Sequence, residues 1–231
     1  MERISPAALA KYLQADPIGS ASLSLPALNG KVLTSQRWLD EIPAKRLIFH
    51  RLYADFLSTE SAGSLLDVGG GLSALTPALA AGRRYVLADP LHHESEAGLA
   101  AVRQAADAFD HRGGDWFDLD PDERFDVIVA NDLFPNVDQR LGLFVEWAIP
   151  RARRILLSLT YHNAPRWYRV KRVDAEEHLT VLSVDGQRTA AMLAPHADRI
   201  DGWDPSLFDA NPPSLFPNGR QVVLAEIRGD A

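Results

Sequence analysis

The chain has 231 residues, of which 46% are hydrophobic, and contains no cysteine. This length predicts one domain with a sizeable core and excludes a second full catalytic domain. The missing cysteines exclude disulfides and thiolate metal sites. No apolar run approaches the roughly eighteen residues of a membrane span. Because the N-terminus also lacks the basic and apolar regions of a secretory signal, we predict a cytoplasmic protein without membrane contact.

The charge pattern bears on possible partners. The formal net charge is −7, and the densest basic run is the stretch 151–154, with three arginines. Nucleic-acid binding favours a basic face, so we predict a small-molecule substrate and no nucleic-acid partner. The composition does not predict an oligomeric state.

The first 62 residues have helical patterns. Ser5 and Pro6 form an N-cap followed by a proline at the first helical position. Between residues 35 and 58 apolar residues recur at helical spacing, interrupted at Pro43. We predict an N-terminal helical cap over residues 1–62 and a catalytic domain over residues 63–231.

From Ser64 onwards short apolar strands alternate with helical stretches. This alternation predicts an α/β fold with a mostly parallel sheet and helices on both faces. The predicted strands are Ser64–Val68, Arg84–Ala88, Phe125–Ala130, Arg153–Leu159 and a late edge strand, Gln221–Ile227. The predicted helices are Ser73–Ala81, Ser95–Ala108, Arg140–Ala148, Asp174–Leu182 and Gln187–Ala194, and residues 204–218 are predicted to be a proline-rich loop.

The strongest motif is the apolar strand 65–68 followed by Gly69, Gly70 and Gly71. Glycines after a strand let the backbone approach a ligand without an intervening Cβ. Gly69, Gly71 and Ala74 also match the dinucleotide pattern G-x-G-x-x-G/A, with the acidic Asp89 about twenty residues later. The glycine loop alone therefore does not identify the cofactor.

Three further features resemble the class I methyltransferases, over roughly residues 64–161. They are Asp67 two residues before the first glycine, the run Gly114-Asp115-Trp116-Phe117, and the strand 125–130 ending in Asn131 and Asp132. The resemblance implies a Rossmann-like methyltransferase fold that binds S-adenosylmethionine. It implies that Asp67 lies near the amino-acid end of the cofactor, and that Asp115 and Trp116 hold the adenine.

With this resemblance, Gly69, Gly71, Asp89 and Asn131 complete the predicted cofactor site. The chain departs from the family at the usual third glycine, which is Ser73 here, and we expect this serine to cap the following helix. Asp126 is typical of a strand cap in this family and is left out of the site.

Simpler alternatives remain open for these residues. The glycine loop could be a plain turn, Asp115 a loop charge and Trp116 a core aromatic. The adjacent His92 and His93 suggest a solvated loop more than a metal pair, because neighbouring side chains seldom point to one centre. We predict that no metal is required.

A second resemblance concerns the reaction. The segments 131–137 and 158–168 resemble the azetidine-2-carboxylate synthases, bacterial natural-product enzymes built on the methyltransferase fold. The resemblance implies Asn131 and Tyr168 as the catalytic pair that folds S-adenosylmethionine for ring closure, with release of 5′-methylthioadenosine. We therefore predict a cyclase of S-adenosylmethionine.

Two other functions remain open. In a small-molecule methyltransferase, Asn131 would contact the amino-acid part of the cofactor, and Tyr168 or Tyr161 would line an acceptor pocket. A binding module would hold the nucleoside without turnover. Without any family resemblance, Asn131 could simply end a strand and Tyr168 could pack on the cap. From the cap, Tyr12 or Tyr53 could reach the site.

Overall fold

A computed structural model describes residues 1–20, 33–57, 63–106, 109–171, 178–209 and 212–231. The strands in these ranges are β1 (Glu2–Arg3), β2 (Ser64–Val68), β3 (Arg84–Ala88), β4 (Phe109–Arg112), β5 (Phe125–Ala130), β6 (Ala152–His162), β7 (Arg166–Lys171), β8 (His178–Ser183) and β9 (Arg220–Arg228). The α-helices are α1 (Pro6–Tyr12), α2 (Pro17–Ser20), α3 (Thr34–Glu41), α4 (Pro43–Tyr53), α5 (Thr76–Ala80), α6 (Glu96–Ala105), α7 (Leu141–Ala148) and α8 (Gly186–Leu193). None of these helices is long and apolar enough to cross a bilayer.

Seven of the strands form one sheet in the order β1-β9-β6-β5-β2-β3-β4. The five strands from β6 to β4 run parallel to their neighbours, whereas β9 is antiparallel to β6. This arrangement confirms the predicted mostly parallel α/β fold. Carboxyl ends of parallel strands meet at one edge of the sheet, where ligands of such folds bind.

The sheet is buried on both faces. Leu65 and Leu66 are neighbours on β2 and both are fully buried, but they belong to two different apolar clusters. Because successive side chains of a strand point to opposite faces, each cluster lies on one face. The first cluster includes Phe49 and Tyr53 of α4, and the second includes Phe144 of α7.

The described residues of the predicted cap form α1 to α4, but Glu2 and Arg3 form β1, which pairs with β9 of the main sheet. Oγ of Ser5 accepts a hydrogen bond from the backbone N–H of Ala8, as predicted, and Pro43 separates α3 from α4 as the first residue of α4. The side chains of α4 pack into the same apolar cluster as Leu65 of the sheet. The predicted domain boundary at residue 62 lies outside the described residues.

Several elements differ from the prediction. Strand β4 was not predicted, because its residues Phe109–Arg112 are all half-buried and lack an apolar pattern. Within the predicted helix Asp174–Leu182, the described residues from His178 onwards form β8, since they pair with β7 in an antiparallel hairpin. Strand β9 is not a free edge along its whole length, because β1 pairs with it at Val223 and Leu224. Within the predicted loop 204–218, a 3₁₀ turn forms at Pro205–Phe208.

Candidate active site

The glycine loop lies between β2 and the turn that precedes α5. Gly69 and Gly71 have φ values of +68° and +67°, in the left-handed region that favours glycine. At Gly71 a Cβ would also lie 2.1 Å from Oγ of Ser35, a residue of the cap helix α3. The backbone conformation and the close packing of Ser35 therefore both require glycine at position 71.

Gly70 faces the carboxylate near the end of β2. A Cβ on Gly70 would lie 2.3 Å from both carboxylate oxygens of Asp67, a distance that real Cβ contacts essentially never show. The packing therefore holds the Asp67 carboxylate directly against the glycine loop.

Asp67 is buried and bonded to two tyrosines. Tyr53 Oη donates to Oδ1 at 2.8 Å, and Tyr85 Oη donates to Oδ2 at 2.9 Å. Burial raises the pKa of Asp67 to about 7, although the two hydroxyl donors act in the opposite direction. Near neutral pH this carboxyl group is therefore close to its ionisation midpoint, and a neighbouring cation would favour its ionised form.

Asp89 follows the end of β3 and holds the other side of the loop. Its Oδ2 accepts from the backbone N–H of Gly71 at 3.0 Å, and its Oδ1 accepts from that of Leu91 at 2.8 Å. Asp67 and Asp89 are both almost fully buried, and neither forms an ion pair with a described residue. The glycine loop therefore lies between two carboxylates that no cation neutralises.

Ser73 stabilises the turn before α5. Its Oγ accepts from the N–H of Leu75 at 3.2 Å, and its own N–H donates to Oγ1 of Thr76 at 3.1 Å. Because α5 begins at Thr76 with Leu75 as N-cap, the expectation that Ser73 is the N-cap is wrong.

The cap closes over the glycine loop through α3. Gln36 Oε1 accepts from the N–H of Ala74 at 3.0 Å, just beyond the loop. Of the two cap tyrosines considered, Tyr53 contacts Asp67, whereas the Tyr12 hydroxyl accepts from the N–H of Ile18 within the cap. The cap therefore contributes Tyr53 as a hydrogen-bond donor to the buried side chain of Asp67.

Asp115 and Trp116 follow β4. The side chain of Asp115 is 40% exposed, pairs with Arg140 at 2.6 Å and accepts from the N–H of Phe117. Trp116 is buried among the aromatic side chains of α7, and its Nε1 donates to Asp138 at 2.9 Å. These contacts resemble those of a loop charge and a core aromatic, and the assignment of both residues to an adenine site stays a prediction.

Asn131 follows the end of β5. The Ser158 hydroxyl on β6 accepts from the N–H of Asp132 at 2.7 Å and donates to Asn131 Oδ1 at 2.8 Å. Nδ2 of Asn131 makes no hydrogen bond to a described residue. The side chain is therefore oriented by Ser158 and keeps its two amide hydrogens for another partner.

Asp132 forms a charged cluster with residues distant in sequence. Lys45 Nζ lies 3.0 Å from Oδ2, Arg220 Nη1 lies 2.7 Å from Oδ1, and Thr160 Oγ1 donates to Oδ1 at 3.0 Å. Burial alone would raise the pKa of Asp132, but the two cations hold it well below its usual range. The sequence analysis missed Lys45 and Arg220, because no local motif links them to Asp132.

Tyr168 lies on the hairpin β7–β8. Its hydroxyl donates to Asn136 Oδ1 at 3.1 Å, and its ring centroid lies 5.7 Å from that of His162. His162 is buried, its ring nitrogens make no hydrogen bond of good geometry, and burial lowers its pKa to about 4. Asn131 and Tyr168 bond to different partners, Ser158 and Asn136, and their assignment as a catalytic pair stays a prediction.

The histidine pair lies beside the cap. The ring of His93 stacks on Trp38 with 6.4 Å between centroids, whereas His92 is exposed. Among the described residues, no three His, Asp or Glu side chains are grouped so that they could hold a metal ion. The expectation that no metal is required stays a prediction.

No protein-family model and no curated protein matches the chain. Solved structures do match it. The 1,6-didemethyltoxoflavin-N1-methyltransferase of Burkholderia thailandensis, with 1,6-didemethyltoxoflavin and S-adenosylhomocysteine bound, is 17% identical over 98% of this chain and 91% of its own, with a TM-score of 0.55.

Two further structures are similar over nearly the whole chain. DhpI in complex with SAM and HEP is 16% identical over 94% of both chains, with a TM-score of 0.51. The N-methyltransferase NodS of Bradyrhizobium japonicum, bound to S-adenosylhomocysteine, is 14% identical over 90% of this chain and 98% of its own, with a TM-score of 0.50. The sheet order and these similarities show that the chain has the Rossmann-like class I methyltransferase fold.

Proposed function

We propose that the protein is an S-adenosylmethionine-dependent methyltransferase with a small-molecule acceptor. The observation that carries the proposal is the position of Asp67 and Asp89, two buried carboxyl groups on either side of the glycine loop that form no ion pair with any described residue. S-adenosylmethionine carries an ammonium and a sulfonium group, whose charges these carboxylates complement. Structures of the same fold contain S-adenosylhomocysteine together with a small acceptor, which supports this function.

Each residue near the loop has a separate role in the proposal. Asp67 accepts from the ammonium group, and Asp89 accepts from the ribose hydroxyls, as an acidic residue after the second strand does in related nucleotide sites. The backbones of Gly69 and Gly71 let the cofactor approach closely. These contacts fix the cofactor at the carboxyl edge of β2 and β3.

The adenine assignment requires a local exchange of partners. Asp115 pairs with Arg140, so binding the adenine amino group would release this ion pair. Arg140 also pairs with Asp138 at 2.6 Å, so it keeps one carboxylate partner after the exchange. Trp116 is almost fully buried, and the guanidinium of Arg140 lies 4.7 Å from its ring centroid, so in this proposal Arg140 must also move off the ring before Trp116 can cover the adenine.

Asn131 and Tyr168 serve on the reaction side of the cofactor. Bound S-adenosylmethionine would supply an electrophilic methyl group. The free Nδ2 of Asn131 then donates to the amino-acid part of the cofactor. The face of Tyr168 attracts the sulfonium, an interaction of roughly 0.5 to 2 kcal/mol, and excludes water. Orientation of the two reactants is the main contribution expected from these residues.

Cyclisation to azetidine-2-carboxylate is the competing reaction. It would use Oδ1 of Asn131 to accept from the cofactor's own amine. Ser158 already donates to this oxygen at 2.8 Å, so one lone pair is left for the amine. This geometry permits cyclisation without favouring it, and the solved structures of similar fold are methyltransferases.

Cofactor binding is tested first, by calorimetric titration with S-adenosylhomocysteine. We expect saturable binding that weakens roughly tenfold or more in Asp89→Asn, because a charged acceptor forms hydrogen bonds about twice as strong as a neutral one. Asp110→Asn on β4 is the matched control and should bind like the parent protein, because its carboxylate pairs at the surface with Arg112. A parent protein that does not bind the ligand would overturn the proposal.

The reaction is tested by product analysis with S-adenosylmethionine, with and without a panel of small-molecule acceptors. S-adenosylhomocysteine formed only with an acceptor supports methyl transfer. 5′-Methylthioadenosine and azetidine-2-carboxylate formed without an acceptor, and lost in Asn131→Ala, would instead establish cyclisation. Tyr168→Phe keeps the ring face, so we expect this variant to retain most of the activity in either case.

A further inference from the structure

The cluster around Asp132 carries a local excess of positive charge. Lys45 and Arg220 both pair with Asp132, and no other carboxylate of the described residues contacts either cation. The side chains of both cations are more than four-fifths buried. The protein as a whole has a net charge of −7, so this buried excess of one positive charge contrasts with its overall charge.

Arg220 presents an unused hydrogen-bonding edge. Its Nη1 donates to both carboxylate oxygens of Asp132, at 2.7 and 2.9 Å, and its guanidinium lies 4.2 Å from the ring centroid of Phe216. Nε is buried without a hydrogen-bond partner, and Nη2 makes no hydrogen bond to a described residue. Asp132 and Phe216 thus hold the guanidinium in place and leave the Nε–Nη2 edge free.

This edge has the geometry that carboxylates recognise. Two parallel N–H groups of an arginine match the two oxygens of a carboxylate, and such bidentate pairs are strong and directional. A buried polar atom without a partner in a folded protein calls for an explanation, such as a ligand that satisfies it. His162 lies opposite Arg220 in the β6–β9 register, and its buried ring nitrogens make no hydrogen bond of good geometry.

We propose that the free edge of Arg220 binds a carboxylate group of the methyl acceptor. The inference rests on the proposed function and assigns the acceptor to the carboxylic acids. The cofactor has a carboxylate as well, and Asn131, which the proposed function places at the cofactor's amino-acid part, directly precedes Asp132. Strands β5 and β6 separate Asp67 on β2 from β9, so the ammonium is assigned away from Arg220, and affinity for S-adenosylhomocysteine in an Arg220 variant distinguishes the two carboxylates.

Docking of the carboxylate requires a local movement. Nε of Arg220 is buried although 12% of the side-chain surface is exposed. The hairpin β7–β8 lies nearby, since Arg166 donates to the carbonyl oxygen of Asn218 and the Tyr168 ring packs beside His162. The proposal therefore requires β7 and β8 to shift outward far enough for the acceptor to reach this edge.

The binding test uses simple carboxylates as probes. Protein labelled with ¹⁵N and saturated with S-adenosylhomocysteine is titrated with acetate and with benzoate, and the Nε–H resonance of Arg220 is followed by NMR. We expect this resonance to shift saturably with at least one acid and to stay unchanged with acetamide and benzamide, the uncharged counterparts. Equal shifts with acids and amides, or no shift with either acid, would overturn the proposal.

Two variants separate recognition from folding. Arg220→Lys keeps a cation opposite Asp132 but removes the bidentate edge, whereas Arg220→Gln removes both. We expect both variants to bind the probe acid at least tenfold more weakly than the parent, with Arg220→Lys retaining the parent's melting temperature. Parent-like affinity for the acid in the folded Arg220→Lys variant would contradict the assignment.

Affinity for S-adenosylhomocysteine identifies the source of the carboxylate. If Arg220 serves the acceptor, Arg220→Lys binds S-adenosylhomocysteine like the parent. A tenfold or greater loss would assign the edge to the cofactor's carboxylate and overturn the acceptor proposal. Titrations with the acids are repeated without S-adenosylhomocysteine. They distinguish two failures of the parent protein: loss of nucleoside binding, which concerns the proposed function, and loss of acid binding at Arg220, which concerns this inference.

Discussion

The carboxyl edge of the sheet has two sides with opposite electrostatics. On the β2–β3 side, Asp67 and Asp89 accept from hydroxyl and backbone N–H donors and form no ion pair with a described residue. On the β5–β9 side, a single carboxylate, Asp132, is shared by Lys45 and Arg220. Charge complementarity therefore underlies both proposals, a cationic cofactor on the first side and an anionic group on the second.

The largest effect is expected from filling the glycine loop on the β2–β3 side. In Gly70→Ala the new Cβ would lie 2.3 Å from the carboxylate oxygens of Asp67, so the loop or the carboxylate must move. We expect calorimetry to detect no binding of S-adenosylhomocysteine. Gly142→Ala on α7 is the matched control, because a Cβ there meets nothing within 4 Å. Normal binding by Gly70→Ala would show that the loop does not contact the ligand.

The second prediction concerns stability and pH. The pKa of Asp67 is raised from 3.8 to about 7 on folding, so its proton stabilises the folded state. This stability is fully present below the unfolded pKa and is lost as pH rises through the folded pKa. We expect the free energy of unfolding to fall by up to about 4 kcal/mol across this window, and Asp67→Asn to remove that dependence. Urea denaturation at a series of pH values measures this dependence. The same change of unfolding free energy with pH in the parent and in Asp67→Asn would contradict the prediction.

The third prediction concerns the β5–β9 side. Asp132→Asn leaves Lys45 and Arg220 facing each other without a counter-charge. We expect the free energy of unfolding to fall by about 2 kcal/mol. This loss is smaller than that expected for a fully buried ion pair, because the Asp132 side chain is 29% exposed. For the surface variant Asp110→Asn, we expect the free energy of unfolding to fall by less than about 1 kcal/mol. Urea denaturation of both variants makes the comparison. Equal losses would show that the Asp132 cluster behaves as an ordinary surface pair.

The last prediction concerns the pH dependence of ligand affinity. If the ammonium of the ligand lies beside Asp67, binding favours the ionised carboxylate, so affinity for S-adenosylhomocysteine should weaken about tenfold per pH unit below the pKa of Asp67. Titrations at a series of pH values from acid to neutral check this slope. In Asp67→Asn the slope should be absent and the affinity low throughout. An unchanged slope in the variant would assign the ammonium to another group.

The sequence predicted most of the parallel core. Strands β2, β3 and β5 begin and end at the predicted residues, because apolar runs bounded by glycine or polar residues mark buried parallel strands. Strands β1, β4, β7 and β8 were missed, because short or half-exposed strands depend on their partners for stability more than on an apolar pattern.

By itself, the sequence determined the glycine loop, the acidic residues Asp67 on β2 and Asp89 after β3, and hence the resemblance to a methyltransferase, because these residues follow one another within a short stretch. Only the tertiary structure brought Lys45 of the cap and Arg220 of β9 to Asp132, residues 87 and 88 positions away along the chain. It also decided that Tyr53 bonds to Asp67. Such contacts depend on strand order and on how the cap packs, and no local pattern of residues encodes either.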